Sequence, residues 1–83
     1  MKVEVISSGK VLFSGEADSV KVPGEQSPFT ILKGHIPIVS SLVSGNLLIE
    51  HSGKMHTIAI TGGFVQVSKE RILILVKDDG EKG

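Results

Sequence analysis

The 83-residue sequence contains no cysteine, no tryptophan and no tyrosine. Without cysteine, the chain can have neither a disulfide framework nor a zinc site with thiolate ligands, and a reducing compartment is compatible with it. Three phenylalanines, Phe13, Phe29 and Phe64, are the only large aromatic residues. So few aromatic rings argue against a stacking surface for bases or sugars.

The sequence also lacks an excess of either charge and lacks any long apolar run. Nine lysine and arginine residues balance nine aspartate and glutamate residues. A basic face that binds nucleic acid is therefore not expected. No apolar stretch approaches the roughly 20 residues that a membrane-spanning helix needs, so we expect no direct insertion into a membrane.

What the sequence does contain is a regular succession of turn residues between short stretches rich in Val, Ile and Leu. The turns recur about every 7–10 residues, which is typical of a sandwich or barrel of short strands. We expect one β-sandwich domain at residues 1–77 and a polar tail at residues 78–83, with no helix. Strands are predicted at Val3–Ser7, Lys10–Ser14, Asp18–Val22, Phe29–Leu32, Gly45–Glu50, Met55–Ile60, Phe64–Val67 and Arg71–Val76, with a brief extended segment at Ile38–Leu42.

The predicted hairpin around Ser52-Gly53 has a register that the sequence specifies. A two-residue turn at these positions pairs Ile49 with His56 and Leu47 with Ile58. The apolar residues of both strands then share one face of the hairpin, as a half-buried sheet requires.

The last predicted strand, Arg71–Val76, does not alternate between polar and apolar residues. One interpretation is a central strand that other parts of the chain cover on both faces. The other is a strand with one face covered by a second protein, since a thin sandwich has only one interior. The sequence leaves both interpretations open.

No residue pattern typical of catalysis is present. His51 and His56 would lie diagonally on one sheet face, but two histidines without a third ligand make a poor zinc site. Neither of the glycine-rich nucleotide-binding motifs occurs. We therefore expect no catalytic residue, no metal site, no nucleotide site and no cofactor.

His35 lies in the part of the sequence that is richest in turn residues, between Gly34 and Ile36-Pro37. Its ring either satisfies nearby backbone groups or anchors an interface with a partner. The residues alone favour the first interpretation.

Four segments carry the most distinctive residue patterns of the chain. They read V-L-F-S-G-E, D-S-V-K-V-P-G, F-T-I-L-K-G-H-I-P and T-G-G-F-V-Q-V, and they lie at Val11–Glu16, Asp18–Gly24, Phe29–Pro37 and Thr61–Val67. In order and in spacing, they resemble the epsilon subunit of F-type ATP synthases. Each segment alone is a weak signal, whereas the ordered set covers essentially the whole chain and is specific.

The resemblance implies an all-β fold, a flattened β-sandwich of about ten short, mainly antiparallel strands. It also implies a non-catalytic rotor subunit in the central stalk of a proton-translocating ATP synthase, peripheral to the cytoplasmic face of the bacterial inner membrane. The implied partners are the gamma subunit and the loops of the c-ring. On the same basis, the gamma interface would comprise Gly34, His35, Ile36, Pro37, Leu73 and Leu75, and the c-ring-facing loop would comprise Glu25, Gln26, Ser27 and Pro28.

Three positions depart from the residues that are usual in this family. Thr30, Lys33 and Ile36 stand where the family usually has glycine, proline and alanine. Lys33 and Ile36 add charge and bulk to the loop, so a partner that keeps this contact must differ in shape. Family members usually continue into a helical hairpin that restrains ATP hydrolysis, whereas this sequence ends at Gly83, so no inhibition of that type is expected from it.

An alternative is a biotinyl or lipoyl carrier domain, which is also a small β-sandwich. Such a domain carries a modified lysine at a hairpin tip, and Lys54 follows Ser52-Gly53 directly. However, the residues around Lys54 match neither the biotin nor the lipoate attachment motif. The carrier domain is therefore the less supported alternative.

Overall fold

The computed structural model describes residues 1–77, which form nine β-strands and no helix. The predicted all-β class is confirmed, with nine strands in this part of the chain where the resemblance implied about ten. The predicted tail at residues 78–83 lies outside the described residues. The strands are β1 (Lys2–Ser7), β2 (Lys10–Glu16), β3 (Ser19–Val22), β4 (Phe29–Leu32), β5 (Ile38–Leu42), β6 (Gly45–His51), β7 (Lys54–Ile60), β8 (Gly62–Val67) and β9 (Arg71–Lys77).

The strands form two sheets. A five-stranded sheet has the order β2-β1-β9-β8-β5, and a four-stranded sheet has the order β4-β3-β6-β7. Neighbouring strands run antiparallel except β1 and β9, which are parallel. The extents of 36 × 25 × 19 Å confirm the flattened shape. Within residues 1–77 no helix is long and apolar enough to span a bilayer.

Two hairpins close through two-residue turns of the same sequence, Ser-Gly. Ser8 and Gly9 have φ values of 50° and 77°, and Ser52 and Gly53 have φ values of 53° and 78°. Positive φ at both central residues gives the turn a twist that matches the flanking strands. The register of the second hairpin is the predicted one throughout.

The core lies between the two sheets and consists of aliphatic side chains. Strands such as β1, β6 and β9 turn alternate residues toward the interior, so the apolar residues of one face are buried and those of the other are not. The buried hydrophobic residues are Val3, Val5, Ala17, Val20, Val22, Ile31, Leu42, Leu47, Ile49, Ile60, Val65, Val67, Ile72, Ile74 and Val76.

Strand β9 combines the two interpretations of its sequence. It is the central strand of the five-stranded sheet, and its residues Ile72, Ile74 and Val76 are buried in the core. Leu73 and Leu75 lie on the opposite face, where Leu73 is half-buried and Leu75 is exposed. The strand is therefore central in its sheet, and its outer face is open to solvent at Leu75.

Backbone hydrogen bonds join the two sheets where β3 leads into β4. The N–H of Glu25 donates to the carbonyl oxygen of Ser41 at 2.9 Å, and the N–H of Val43 donates to that of Pro23 at 2.9 Å. Between these bonds, Gly24 forms an isolated β-bridge with Leu42. The start of the β3–β4 connection is thereby fixed to the edge strand of the opposite sheet.

Gly63 lies where the backbones of β8 and β9 leave no room for a side chain. A Cβ atom at Gly63 would overlap the carbonyl oxygen of Leu75 and would lie 2.8 Å from the Cα of Val76. Its φ of 142° is one that residues with side chains rarely adopt. Gly62 and Gly63 open β8 after the single connecting residue Thr61, and close packing of strands requires glycine at position 63, whereas a Cβ at Gly62 would meet only the carbonyl oxygen of Leu42, at 3.7 Å.

We expect Gly63→Ala to destabilise the domain by at least about 2 kcal/mol, because the new methyl group must displace the backbone of β9. Gly15→Ala is the matched control, since a Cβ there would meet only the ring of Phe13, at 3.7 Å. Urea unfolding followed by circular dichroism measures both variants, because the chain has no tryptophan or tyrosine to report by fluorescence. Equal unfolding free energies for the two variants would contradict the close approach of β8 and β9.

Candidate functional site

The connection between β3 and β4 ends in an exposed tip. Glu25, Gln26, Ser27 and Pro28, the residues implied to face a c-ring, are all exposed. The bonds to β5 fix the start of this connection, and β4 begins directly after Pro28. An exposed tip on a fixed base can bear on a partner while keeping its position relative to the sheets.

The connection between β4 and β5, which was implied to face the gamma subunit, turns sharply at Gly34. Gly34 has a φ of 86°, a left-handed conformation that glycine adopts without strain, and the N–H of His35 donates to the carbonyl oxygen of Leu32 at 3.0 Å. The chain then passes through Ile36 and Pro37 from an edge of the four-stranded sheet to an edge of the five-stranded sheet. This connection therefore spans the side of the sandwich.

The half-buried His35 ring is held by its own loop. Its Nδ1 atom lies 2.8 Å from the carbonyl oxygen of Ile36, and because a carbonyl only accepts, Nδ1 carries the proton and donates. This is the local backbone interaction that the sequence favoured. A ring fixed in this way also presents its Nε2 atom in a defined direction, so the contact is compatible with a role at an interface.

The residues that depart from the family's usual pattern lie on the surface. Thr30 and Lys33 are exposed, and the side chain of Ile36 is 69% exposed. The added charge and bulk are thus available to a partner and are not absorbed by the core.

The outer face of the five-stranded sheet carries a row of apolar side chains that spans four strands. Ile6 on β1 pairs with Val11 on β2 and with Leu75 on β9, and Leu75 pairs with Phe64 on β8. Val11 is 58% exposed, Phe64 50% and Leu75 41%, whereas Ile6 is half-buried. We call these four residues the outer apolar row. A contiguous exposed apolar patch of this kind is typical of interaction surfaces.

The residues implied to face gamma fall into two groups in the structure. The loop Gly34–Pro37 leads into β5, whereas Leu73 and Leu75 lie on β9, and β8 separates the two strands. Phe64 on β8 and Val39 on β5 lie on the same outer face and connect the groups. Sequence reasoning identified neither residue as a candidate contact. The G-G-F-V-Q-V segment could have identified Phe64, because strand alternation places Phe64 on the outer face once Val65 and Val67 are assigned to the core.

No metal-binding group of three or more His, Asp or Glu side chains occurs within residues 1–77. Asp18 accepts a hydrogen bond from the N–H of Ser52 at 2.9 Å and lies 3.9 Å from Nδ1 of His51. His56 instead packs edge-on against Phe13, with ring centroids 5.1 Å apart. These contacts attach the β6–β7 hairpin to the β2–β3 connection and to β2 of the opposite sheet.

Lys54, the lysine of the carrier-domain alternative, is exposed at the start of β7. It pairs with His51 beside the hairpin turn. Exposure at a hairpin tip is common among surface lysines and adds no support to that alternative.

An open cleft of about 530 Å³ lies at one end of the sandwich, next to His35. The buried residues Ile31 and Ile72 contribute to its lining, and Lys33 and Lys69 are exposed beside it. The cleft marks the opening between the two sheets at this end.

Comparison with known proteins identifies a matching family and a matching fold. The family model of the ATP synthase delta/epsilon chain β-sandwich domain matches residues 1–79. The chain is 43% identical over 75 residues to the ATP synthase epsilon chain of Leptospira interrogans, covering 90% of this chain and 59% of that protein. It is 36% identical over 74 residues to the epsilon chain of Desulforamulus reducens, covering 89% and 56%. The chain thus spans somewhat more than half the length of these curated relatives.

Two solved structures share the fold. A chain of the Euglena gracilis mitochondrial ATP synthase, solved as an OSCP/F1/c-ring assembly, superposes with a TM-score of 0.83 at 22% identity, covering 89% of this chain and 48% of that chain. A chain of the Tetrahymena thermophila mitochondrial ATP synthase central stalk and c-ring superposes with a TM-score of 0.78 at 18% identity, covering 93% and 63%. At these identities the two matches establish the fold.

We expect Leu75→Thr to lower the unfolding free energy by less than about 1 kcal/mol, because Leu75 lies on the surface. Ile74→Thr, one residue earlier, should cost about 3 kcal/mol or more, because it leaves a cavity and a hydroxyl group in the core. Threonine is favourable in a strand at either position, so the difference between the two unfolding free energies reports the difference in burial of the replaced side chains. Urea unfolding measures both variants, and comparable losses would argue against an exposed outer row.

Proposed function

The chain belongs to the ATP synthase delta/epsilon β-sandwich family, and from this membership we propose that it is a non-catalytic rotor subunit in the central stalk of a proton-translocating F-type ATP synthase. Relatives named ATP synthase epsilon chain, at up to 43% identity, support this role. In that role the chain docks on the gamma subunit and on the c-ring, at the cytoplasmic face of a bacterial inner membrane. Its contribution is mechanical, because it transmits torque by remaining attached to both partners.

The observation that carries this proposal is the outer apolar row. Phe64 and Leu75 are paired neighbours on adjacent strands and are each exposed by about half. Burying such side chains against a partner is worth roughly 25 cal/mol for each Å² of apolar surface removed from water. The row therefore supports a partner that lies flat against the five-stranded sheet, and we assign this face to the gamma subunit.

The loop from Gly34 to Pro37 extends the same surface around the edge of the sandwich. Ile36 and, after it, Val39 are each 69% exposed, and Val39 shares the outer face with Phe64. A gamma subunit seated on the outer row can thus reach the loop through β5. This arrangement joins the two groups of residues implied by the resemblance into one surface.

The exposed tip from Glu25 to Pro28 is the proposed contact with the c-ring. It is polar, which suits contact with the polar loops of a ring of membrane subunits. Its base is bonded to Ser41 and bridged to Leu42, so a force on the tip passes into the five-stranded sheet. The tip is therefore suited to transmit torque.

We expect Leu75→Glu and Phe64→Glu each to weaken binding to the gamma subunit of the same source by at least about tenfold, because each buries a charge at the centre of the interface. Isothermal titration calorimetry measures the dissociation constants. The matched control is Met55→Glu, since Met55 is 56% exposed on the outer face of the other sheet. Equal loss of affinity in all three variants, or no binding by the unsubstituted chain, would contradict the assigned face.

A second measurement addresses the c-ring contact. Because the chain has no cysteine, Ser27→Cys carries a unique thiol at the exposed tip, and a thiol-reactive photo-cross-linker placed there should capture the c subunit in the assembled complex. Ser68→Cys, at the exposed turn between β8 and β9, is the control. Capture of the c subunit from position 68 and not from position 27 would reverse the proposed orientation.

A further inference from the structure

Phe29, the first residue of β4, contacts both of the loops that are proposed to bind partners. Its ring is half-buried and lies nearly parallel to the ring of His35, with centroids 6.2 Å apart and an angle of 29° between the planes. The same side chain packs against the core and lies against Gly24, at the start of the β3–β4 connection. One side chain thus bridges the proposed gamma-facing loop and the proposed c-ring-facing connection.

Gly24 receives the Phe29 ring because it has no side chain. A Cβ atom at Gly24 would lie 2.8 Å from the ring atom Cε1 of Phe29 and 2.6 Å from the carbonyl oxygen of Ser27. The backbone of Gly24 is itself buried and bridged to Leu42 in the opposite sheet. The ring therefore rests against backbone that is already fixed.

The Phe29 ring also adds a stacking contact to His35, beside the two hydrogen bonds that His35 makes. The backbone N–H of His35 is bonded to Leu32, and Nδ1 is bonded to Ile36. The first bond attaches the loop to the last residue of β4, and the second lies within the loop. Stacking on Phe29 adds a contact with the first residue of β4, whose ring also lies against Gly24 at the start of the neighbouring connection.

We propose that Phe29 is a positioning residue that keeps the His35 loop and the Gly24–Pro28 connection in a fixed spatial relation. The inference rests on the proposed function, in which these two segments bind different partners. A displacement of one segment is then transmitted to the other through the ring of Phe29. A smaller side chain at position 29 can pack against the core, but it cannot stack on His35 while also filling the space over Gly24.

A double-mutant cycle on the binding of the gamma subunit tests the coupling. The dissociation constant is measured for the unsubstituted chain, Phe29→Leu, His35→Ala and the double variant, after circular dichroism has verified that each is folded. We expect Phe29→Leu to weaken binding severalfold and the double variant to bind no more weakly than His35→Ala, because both changes remove the same contact. If the loss of affinity in the double variant equals the product of the losses in the two single variants, the inference is overturned.

Amide hydrogen exchange tests the link to the other segment without any partner. The N–H of Glu25, bonded to Ser41, should exchange faster by on the order of tenfold in Phe29→Leu than in the unsubstituted chain. The smaller leucine leaves the backbone of the adjacent Gly24 less firmly packed, so the bond from Glu25 opens more often. Phe13→Leu is the matched control, since Phe13 packs on His56 in the other Phe–His pair of the described residues. Unchanged exchange at Glu25 in Phe29→Leu, or an equal change in both variants, would overturn the inference.

The two measurements separate this inference from the function on which it rests. If the unsubstituted chain fails to bind the gamma subunit, the proposed function fails, while hydrogen exchange at Glu25 still reports whether Phe29 supports the Gly24–Pro28 connection. If the chain binds and the cycle shows independent losses, the function stands and the role of Phe29 does not.

Discussion

A sandwich of two small sheets encloses one interior, and this constraint determines where every apolar residue of the chain can lie. Strands β1 and β9 satisfy it by turning Val3, Val5, Ile72 and Ile74 inward. The apolar residues that remain must lie on outer faces, whatever the local sequence prefers. A domain of this size buries only about 60% of its unfolded surface, so it has no second core in which to place them. The outer apolar row is the direct result.

Most of the fold could be predicted because its signals are local. The alternation of polar and apolar residues specifies where strands lie, and the Ser-Gly turn specifies the register of the β6–β7 hairpin. Each of these signals is contained in a few consecutive residues. Strand β5 was expected only as a brief extended segment at Ile38–Leu42. It is an ordinary edge strand, since pairing with β8 supplies the stabilisation that its sequence lacks.

The candidate site was less predictable, because its parts come together only through pairing between distant segments. The parallel pairing of β1 with β9 places Ile6 beside Leu75, and no local pattern specifies that pairing. The stacking of Phe29 on His35 is closer in sequence, but it depends on the turn at Gly34, whose geometry the residue pattern does not specify. The resemblance supplied Gly34–Pro37, Leu73 and Leu75 as candidate contacts, but it did not supply Phe64 and Val39, which lie between them on the outer face.

The constraint that exposes the outer row also explains why the connections between sheets are fixed so firmly. With one thin interior, the sheets are held together mainly by the burial of short aliphatic side chains, a driving force that is non-directional. Directional bonds are needed to oppose sliding, and the pairing of Glu25 with Ser41 and of Val43 with Pro23 provides them at one edge. The hydrogen bonds at the base of the exposed tip therefore help to fix the relative position of the two sheets along this edge.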